Sequence, residues 1–315
     1  MDDKKIASRG RALSNFFIIL LGTIILLYAI SVIFPLAWGL INSLKSNMDF
    51  QYQNNKLWFP NPEYSAAEIK LANYSLILNN FTFSETVKFY SGSTLVTHKA
   101  QATLPLLILN TILYAGVGCV ILAVVPAVCA YACTKYKFKF NKVIFMLNLI
   151  VMTLPIVGSY ATTLTLLRNL GLYDNFIGNY IQKFTFTGMY FLVFGAFYET
   201  FPDAYLEAAE IDGASHYRVL FNIVIPLSAK MLGTVALIQF VSLWNDYQTP
   251  LMYLPTHPTL AYGVYYMAFK NTNGVLSKTP IKIASCMILA VPILILFIVF
   301  KDKLMGNISV GGIKE

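Results

Sequence analysis

Long apolar runs separated by polar segments dominate the hydrophobic pattern of the chain. An apolar run of about 20 residues predicts a helix that crosses a membrane, because its length matches the hydrocarbon thickness and helical hydrogen bonds satisfy the backbone. The clear runs are residues 16–41, 104–133, 143–167, 229–254 and 281–300. A further run, 176–198, is more polar and contains Asn179, Gln182, Lys183, Thr185 and Thr187.

The N-terminal run is preceded by a polar, basic segment, residues 1–15. A secretory signal peptide begins in the same way, but its apolar part is about 7–15 residues long and ends at a small-residue cleavage site. The run 16–41 is longer and lacks such a site, which favours a retained transmembrane helix. The polar residues 42–103 follow it as a long loop.

Basic residues indicate how the chain is oriented. They are concentrated in residues 1–15, in the loop 135–142 and near Lys301 and Lys303. Short loops rich in Lys and Arg stay in the cytoplasm. An even number of spans must then separate any two of these places, which is satisfied if 176–198 also crosses the membrane. The loop 42–103 is then external, and residues 303–315 form a cytoplasmic tail.

Composition supports a membrane protein and argues against several other classes. The chain is 57% hydrophobic and only 12% charged, about half the charge of a typical soluble domain. Although the net charge is +8, the bases form no aromatic-interleaved surface, so nucleic-acid binding is disfavoured. Cys129 and Cys133 share a helix face but have no neighbouring His, so a metal or redox pair is disfavoured.

The stretch 199–226 is polar but patterned. Pro202 is suited to the first turn of a short helix that runs to Asp212, and Gly213 then allows a sharp turn without steric strain. Ser215 can cap a second helix, which Pro226 is expected to end. The stretch therefore predicts a helix–turn–helix at a membrane surface, between the spans 176–198 and 229–254.

Glu207-Ala208-Ala209, Asp212-Gly213-Ala214 and Ile225-Pro226 carry a resemblance to a known family. They resemble the EAA signature of importer permeases in the ATP-binding cassette (ABC) superfamily. Trp244-Asn245-Asp246 is further similar to the maltose-type, carbohydrate-uptake branch. This resemblance implies the type I ABC importer permease fold, which is all-α with six transmembrane helices, and a permease core at 104–302.

The resemblance also implies a coupling helix at 202–215 that docks on a cytoplasmic ATPase. Glu207 would make the main polar contact, and Ala208 and Ala209 would let the helix lie close to its partner. The residues expected to take part are Asp203, Leu206, Glu207, Ala208, Ala209, Ile211, Asp212, Gly213 and Ser215. The tail residues Gly311 and Gly312 are expected to reach the ATPases as well.

An assembly in a bacterial plasma membrane follows from the same resemblance. The expected partners are membrane lipid, a second homologous permease, two copies of the ATPase, a carbohydrate substrate and an external solute-binding protein. Lys outnumbers Arg, which hints at an AT-rich Gram-positive host, where the binding protein would be a lipoprotein. The chain has no G-x-x-x-x-G-K-[ST] loop, so no cofactor and no catalytic site are expected in it, and ATP and Mg would bind the partner ATPase.

Candidate substrate contacts are aromatic and amide side chains in two spans, since sugars stack on aromatic faces and hydrogen bond to amides. They are Asn110, Tyr114, Trp244, Asn245 and Tyr247. The alternative is that the aromatic rings mark the membrane interface and the amides join helices. The external loop 42–103 also allows two interpretations. An insertion around 79–101 is either a surface for an external partner or a packed cap.

Other functions remain open from the sequence. The signature reports coupling and not cargo, so an importer for a non-sugar solute is one alternative. An ion-coupled carrier would need a titratable group within its spans, and Asp246 is the candidate for it. A membrane scaffold without transport activity is the third alternative.

Overall fold

The computed structural model describes residues 3–91, 94–136, 138–154, 158–270 and 274–305, which are mostly helical. They form two compact units, residues 1–80 with 271–288, and residues 81–270 with 289–315. Within the described residues, three helices are long and apolar enough to cross a membrane: Ser14–Ser43, Leu104–Lys135 and Thr279–Phe300. A fourth candidate is the pair His216–Leu227 and Ala229–Trp244, which is bent by 71°.

The first unit joins one long apolar helix to a small polar cap. Its elements are α1 (Asp3–Ser43), a π-helical turn (Met48–Tyr52), α2 (Pro62–Ile69), α3 (Ala72–Asn80) and a 3₁₀ turn (Val275–Ser277). The start of the last helix, α14 (Thr279–Met305), completes it. Most apolar side chains from Phe16 to Phe34 are exposed, as expected for a surface that faces lipid.

The cap in this unit is organised around a fully buried carboxylate, Asp49. It accepts hydrogen bonds of 2.8 Å from the Asn55 amide, the Asn61 backbone N–H and the Ser65 hydroxyl. Burial alone would raise the pKa of Asp49, but these bonds and the nearby charge of Lys45 outweigh it and lower the pKa. A buried carboxylate with several donors is a packing centre, which favours a packed cap for residues 44–80.

A β-hairpin interrupts the otherwise helical chain, so the all-α prediction is wrong at this point. Strands β1 (Thr82–Ser91) and β2 (Thr94–Thr103) pair antiparallel, with Thr82 opposite Thr103. The physical reason is the two-residue period, because Phe83, Ala100 and Ala102 are buried while their chain neighbours are exposed. The hairpin overlaps most of the predicted insertion, around 79–101, and leads directly into the next helix.

The second unit is a helical bundle. Its helices are α4 (Leu104–Lys135), α5 (Asn141–Thr153), α6 (Ser159–Asn169), α7 (Phe176–Lys183), α8 (Met189–Glu199), α9 (Ala204–Ile211), α10 (His216–Val219), α11 (Ile225–Trp244), α12 (Gln248–Tyr253) and α13 (Leu260–Tyr265). Helix α4 packs against both α8 and α11. The core between them includes Tyr131, Phe191, Phe194, Tyr198, Val224 and Val235.

Two of the predicted spans are each divided into two short helices. The run 143–167 corresponds to α5 and α6, and Gly158 begins the second of these with a φ of +84°. The run 176–198 corresponds to α7 and α8. At its break, the Gly188 N–H donates to Asn148 Oδ1 at 2.6 Å. Asn148 therefore satisfies backbone that the broken helix leaves open, which non-helical backbone at membrane depth requires.

Pro226 does not end the second helix of the patterned stretch, contrary to the prediction. A π-helical turn (Leu220–Val224) joins α10 to α11, and Pro226 lies in the first turn of α11. Its missing N–H costs little there, because the first N–H groups of an α-helix have no intrahelical partner. Ser228 lies at the 71° bend, where its hydroxyl bonds the Val224 carbonyl at 2.6 Å.

Candidate coupling surface and transport path

Helix α9 is a short helix held between two turns. It begins at Ala204, two residues later than Pro202, with Asp203 at its N-cap. Gly213 follows it with a φ of +73°, a left-handed conformation that favours glycine. Ser215 then caps α10 by accepting a hydrogen bond from the Arg218 N–H. The local order of helix, glycine turn and capped helix thus agrees with the sequence prediction.

The two sides of α9 differ in what they contact. Leu206 and Ala209 pack against the core of the bundle, and Ala209 is only 7% exposed. The remaining residues of the predicted coupling set are exposed: Asp203, Glu207, Ala208, Ile211, Asp212, Gly213 and Ser215. The small side chain of Ala209 therefore brings the helix close to its own spans, whereas Ala208 lies on the open side.

The open side combines apolar and acidic groups. Ile211 is 85% exposed and Tyr217, on α10, is 77% exposed. Glu207 lies one turn before Ile211 on the same face of the helix. Exposed apolar side chains with polar groups around them mark a candidate interaction surface.

Lysine and aromatic side chains attach α9 to the spans. Lys135, the last residue of α4, is nearly buried, and its Nζ donates to Asp203 Oδ1 at 2.6 Å and to the Phe201 carbonyl at 2.7 Å. Tyr136 and His216 hydrogen bond at 3.2 Å. In the sequence, Lys135 counted only as part of the basic loop. Its role as an anchor could not be read there, because the partners are 66 and 68 residues away.

Three of the five candidate path residues are buried and bonded within the bundle. The Asn110 amide donates to the Pro258 carbonyl at 2.9 Å, and Trp244 Nε1 donates to the Leu289 carbonyl at 3.1 Å. Tyr114 is fully buried and donates its hydroxyl hydrogen to Asp246 Oδ2 at 2.6 Å. These three side chains join segments of the protein to one another.

Asn245 and Tyr247 are the exposed members of the set. The Asn245 amide bonds the Val241 carbonyl at 2.9 Å. The ring of Tyr247 stacks on that of Tyr265, with centroids 4.6 Å apart and planes 11° apart. Tyr265 lies on α13 and was not among the predicted residues, because its pairing with Tyr247 is a tertiary contact.

The hairpin is bonded to the segment that follows α12. Tyr262 donates its hydroxyl hydrogen to Glu85 Oε2 at 2.5 Å, and Lys270 forms an ion pair with the same carboxylate. The ring of Phe83 packs on Tyr262, with centroids 5.0 Å apart. Burial and the neighbouring Glu85 raise the pKa of the Tyr262 hydroxyl, so it remains a donor at neutral pH.

No group of His, Cys, Asp and Glu that could hold a metal ion occurs among the residues that the structure describes. Asp246, which the sequence offered as the ion-coupling candidate, is bonded to the Tyr114 hydroxyl and to the Thr249 N–H. It also interacts electrostatically with Lys183. Its negative charge therefore already has partners inside the bundle.

This architecture is that of a polytopic helical membrane protein with a short surface helix attached to its spans. The chain belongs to the family of binding-protein-dependent transport system inner membrane components, whose model matches residues 120–309. The match includes α9 and the turn at Gly213.

Two relatives that the chain resembles are permeases named for the uptake of sugars. The chain is 26% identical over 211 residues to the melibiose/raffinose/stachyose import permease protein MelC of Bacillus subtilis, covering 65% of this chain and 75% of that protein. It is 23% identical over 310 residues to the diacetylchitobiose uptake system permease protein NgcG of Streptomyces coelicolor, covering 98% and 92%.

A solved structure has the same fold. It is a bacterial ABC transporter involved in the import of the acidic polysaccharide alginate, with a TM-score of 0.68 and 19% identity. The similarity covers 91% of this chain and 96% of that chain. The ABC importer permease fold is thereby confirmed, whereas its six transmembrane helices stay a prediction, since three or four candidate spans occur within the described residues.

Proposed function

We propose that the chain is one of two permeases in an ATP-driven importer of a sugar or oligosaccharide, in a bacterial plasma membrane. The observation that carries the proposal is helix α9, whose Glu207 and Ile211 are exposed while Leu206 and Ala209 fix it to the spans. A helix of that kind, in a chain of this family, is suited to receive movement from a separate ATPase. The cargo class is inferred from the names of the relatives.

Coupling works through the anchors of α9. Closure of two ATPase subunits around ATP and Mg moves a docked α9 as a rigid body. The bond from Lys135 to Asp203 and the contact of Tyr136 with His216 pass that movement to α4 and α10. Glu207 supplies the polar contact to the ATPase, and Ile211 fills an apolar pocket on it.

Six spans with both termini in the cytoplasm complete this assignment. The spans are α1, α4, α5 with α6, α7 with α8, α11 with α12, and α14. The bonds between Asn148 and Gly188 support counting α7 and α8 as one broken span, because they satisfy its backbone inside protein. The tail glycines Gly311 and Gly312, expected to reach the ATPases, lie outside the described residues.

The remaining partners are a second, homologous permease, which forms the other half of the path, and an external solute-binding protein. Exposed Asn245 and the stacked Tyr247 supply an amide and an aromatic face, which are the groups that bind sugars. The path is supported by buried side chains that join neighbouring segments of the bundle, namely Asn110, Tyr114 and Trp244. The binding protein is a lipoprotein if the host is Gram-positive.

A non-sugar solute is the second candidate cargo. The chain is 33% identical over 147 residues to the sn-glycerol-3-phosphate transport system permease protein UgpE of Yersinia pestis, covering 47% of this chain and 52% of that protein. Uptake of labelled melibiose, trehalose, diacetylchitobiose and glycerol 3-phosphate by cells that do and do not express the system separates the two candidates.

Affinity purification of the tagged chain from its native membrane tests the coupling assignment. Wild type is expected to retain a second permease and an ATPase with a phosphate-binding loop. Glu207→Arg and Ile211→Arg should insert normally but lose the ATPase, because both change the open side of α9. Glu210→Arg is the matched control, since it makes the same charge change on the flank of the helix and should retain the ATPase. Retention of the ATPase by both test variants, or isolation of wild type without one, would contradict the assignment.

A further inference from the structure

A lysine is buried at the break of the divided fourth span. Lys183 is the last residue of α7 and is 8% exposed. Its Nζ donates to Asn179 Oδ1 one turn earlier and lies 4.3 Å from the ring centroid of Tyr114 on α4. An ionisable side chain at membrane depth is costly, so it requires a partner and commonly has a function.

The direct contacts of Lys183 are Asn179 and the ring of Tyr114, and a carboxylate on a third element lies beyond Tyr114. Asp246, at the junction of α11 and α12, interacts electrostatically with Lys183. Its carboxylate accepts hydrogen bonds from the Tyr114 hydroxyl at 2.6 Å and from the Thr249 N–H at 3.0 Å. Tyr114 thus contacts the cation with its ring and the anion with its hydroxyl. The buried side chains of Tyr114, Asn179 and Lys183 form a polar cluster with the half-buried Asp246.

The backbone of α4 makes room for the lysine. A Cβ at Gly118 would lie 3.2 Å from Lys183 Cδ and 2.8 Å from Leu243 Cδ1. The first distance is tighter than most Cβ contacts and the second is a clash, so a larger residue at 118 would push the lysine stem and Leu243 away. The small residue at 118 is what permits Lys183 to reach Tyr114.

The cluster fixes the turn that carries the exposed path residues. Asp246 lies between Asn245 and Tyr247, so its bonds to Tyr114 and Thr249 set the conformation from which both neighbours project. The stacking of Tyr247 on Tyr265 depends on the same turn. Preformed contact groups bind a ligand more tightly, because no ordering is left to be done on binding.

We propose that Lys183 is a positioning residue of the transport path, which holds Tyr114 and Asp246 so that Asn245 and Tyr247 face the carbohydrate. The proposal rests on the proposed function for its ligand, but not for its geometry. Lys183 acts through the ring of Tyr114, whose hydroxyl holds Asp246, and does not itself touch the cargo. Removing only one of the two charges leaves the other unpaired in the bundle, whereas removing both restores neutrality.

The first test measures KM and the maximal rate of uptake in the assembled transporter. It compares four proteins: wild type, Lys183→Met, Asp246→Asn and the double variant. Each single variant should raise KM for uptake about tenfold with little change in maximal rate, which is the pattern of lost binding contacts. The double variant should return KM to within about threefold of wild type. The amide introduced at position 246 can accept from the Thr249 N–H with its oxygen and donate to the Tyr114 hydroxyl oxygen with its nitrogen, and neither charge of the cluster remains. Unchanged KM in Lys183→Met, or a double variant no better than either single one, would overturn the proposal.

A second readout needs no cargo. In a background without the native cysteines, Asn245→Cys reports on the turn through its rate of reaction with a membrane-impermeant maleimide. Lys183→Met should change this rate at least about fivefold, and adding Asp246→Asn should restore it. An unchanged rate refutes the positioning role even if the chain carries no sugar. Changed labelling with no sugar uptake by wild type would instead refute the proposed function alone. Lys282→Met, in the other unit, is the control lysine and should leave the rate unchanged.

Discussion

Replacing Lys135 by Met is expected to uncouple ATP hydrolysis from transport. The Lys135 ammonium is nearly buried and donates to the Phe201 carbonyl at 2.7 Å and to Asp203 Oδ1 at 2.6 Å. Asp203 is 68% exposed, so solvent weakens that ion pair to about 0.5 kcal/mol. The bond to the Phe201 carbonyl is better shielded, and a hydrogen bond from a charged donor contributes about 1.5–3 kcal/mol.

Together the two bonds amount to about 2 kcal/mol, which corresponds to about a 30-fold change in an equilibrium. If α9 leaves its anchored position 30 times more often, movement of the ATPase reaches the spans in fewer cycles. The insertion of α4 should not change, because Met is apolar and continues the helix. The expected result is therefore a chain that assembles and hydrolyses ATP but imports much less solute per ATP.

The assay is uptake per ATP hydrolysed, measured in proteoliposomes that contain the complete transporter. Lys139→Met is the matched control, since it removes an exposed lysine from the same basic loop. A Lys135→Met transporter with the wild-type ratio of uptake to hydrolysis would refute the reasoning. So would an equal loss in the control, because the effect would then come from the charge of the loop.

Two further predictions concern the outer segments. Glu85→Gln should lower the stability of the hairpin by about 1–2 kcal/mol, because the ion pair with Lys270 is lost and the bond from Tyr262 is weakened. Backbone hydrogen exchange of residues 82–88 should therefore become faster. Thr86→Val, on the exposed face of the hairpin, is the control and should leave the exchange rates unchanged. Asp49→Asn should lower the melting temperature at pH 7, because the lowered pKa of Asp49 means that the charged form stabilises the folded state. That contribution is fully present well above the unfolded-state pKa of about 3.9, and it is lost as pH falls from there through the lower folded-state pKa. The melting temperatures of wild type and variant should therefore converge below about pH 4, and a gap that stays constant to pH 3 would refute the assignment.

Local features of the coupling region could be predicted from the sequence because their causes are local. Gly213 turns the chain because glycine tolerates the φ of +73°, and Ser215 caps α10 through a bond three residues away. The bend near Ser228 was not predicted, because a proline is compatible with both the end and the start of a helix. Proline alone suggested a helix end at Pro226, whereas a π-helical turn joins α10 to α11 before the bend.

Two features were not predicted from the sequence. One depends on a two-residue strand repeat inside a chain expected to be helical, and the other depends on residues far apart in the sequence. The hairpin was missed because the resemblance implied only helices, although burial alternates along residues 82–88 and along residues 99–103. Lys183 counted against a span until Asp246, 63 residues later, was seen to be close enough to interact with it. Its cost in lipid is reduced by a pairing that no local pattern can show.

Helix α4 connects these distant features physically. It has 32 residues and is therefore about 48 Å long, and its N-terminus follows strand β2 directly. Asn110 and Thr111 bond the segment at Pro258 and Leu260, Tyr114 bonds Asp246, and Lys135 bonds the start of α9. A displacement of α9 that moves α4 as a rigid body must therefore also move the hairpin, the segment at 258–260 and the turn with Tyr247. One helix can thus move the hairpin and the turn that carries Asn245 and Tyr247 in the same step, without a separate relay between them.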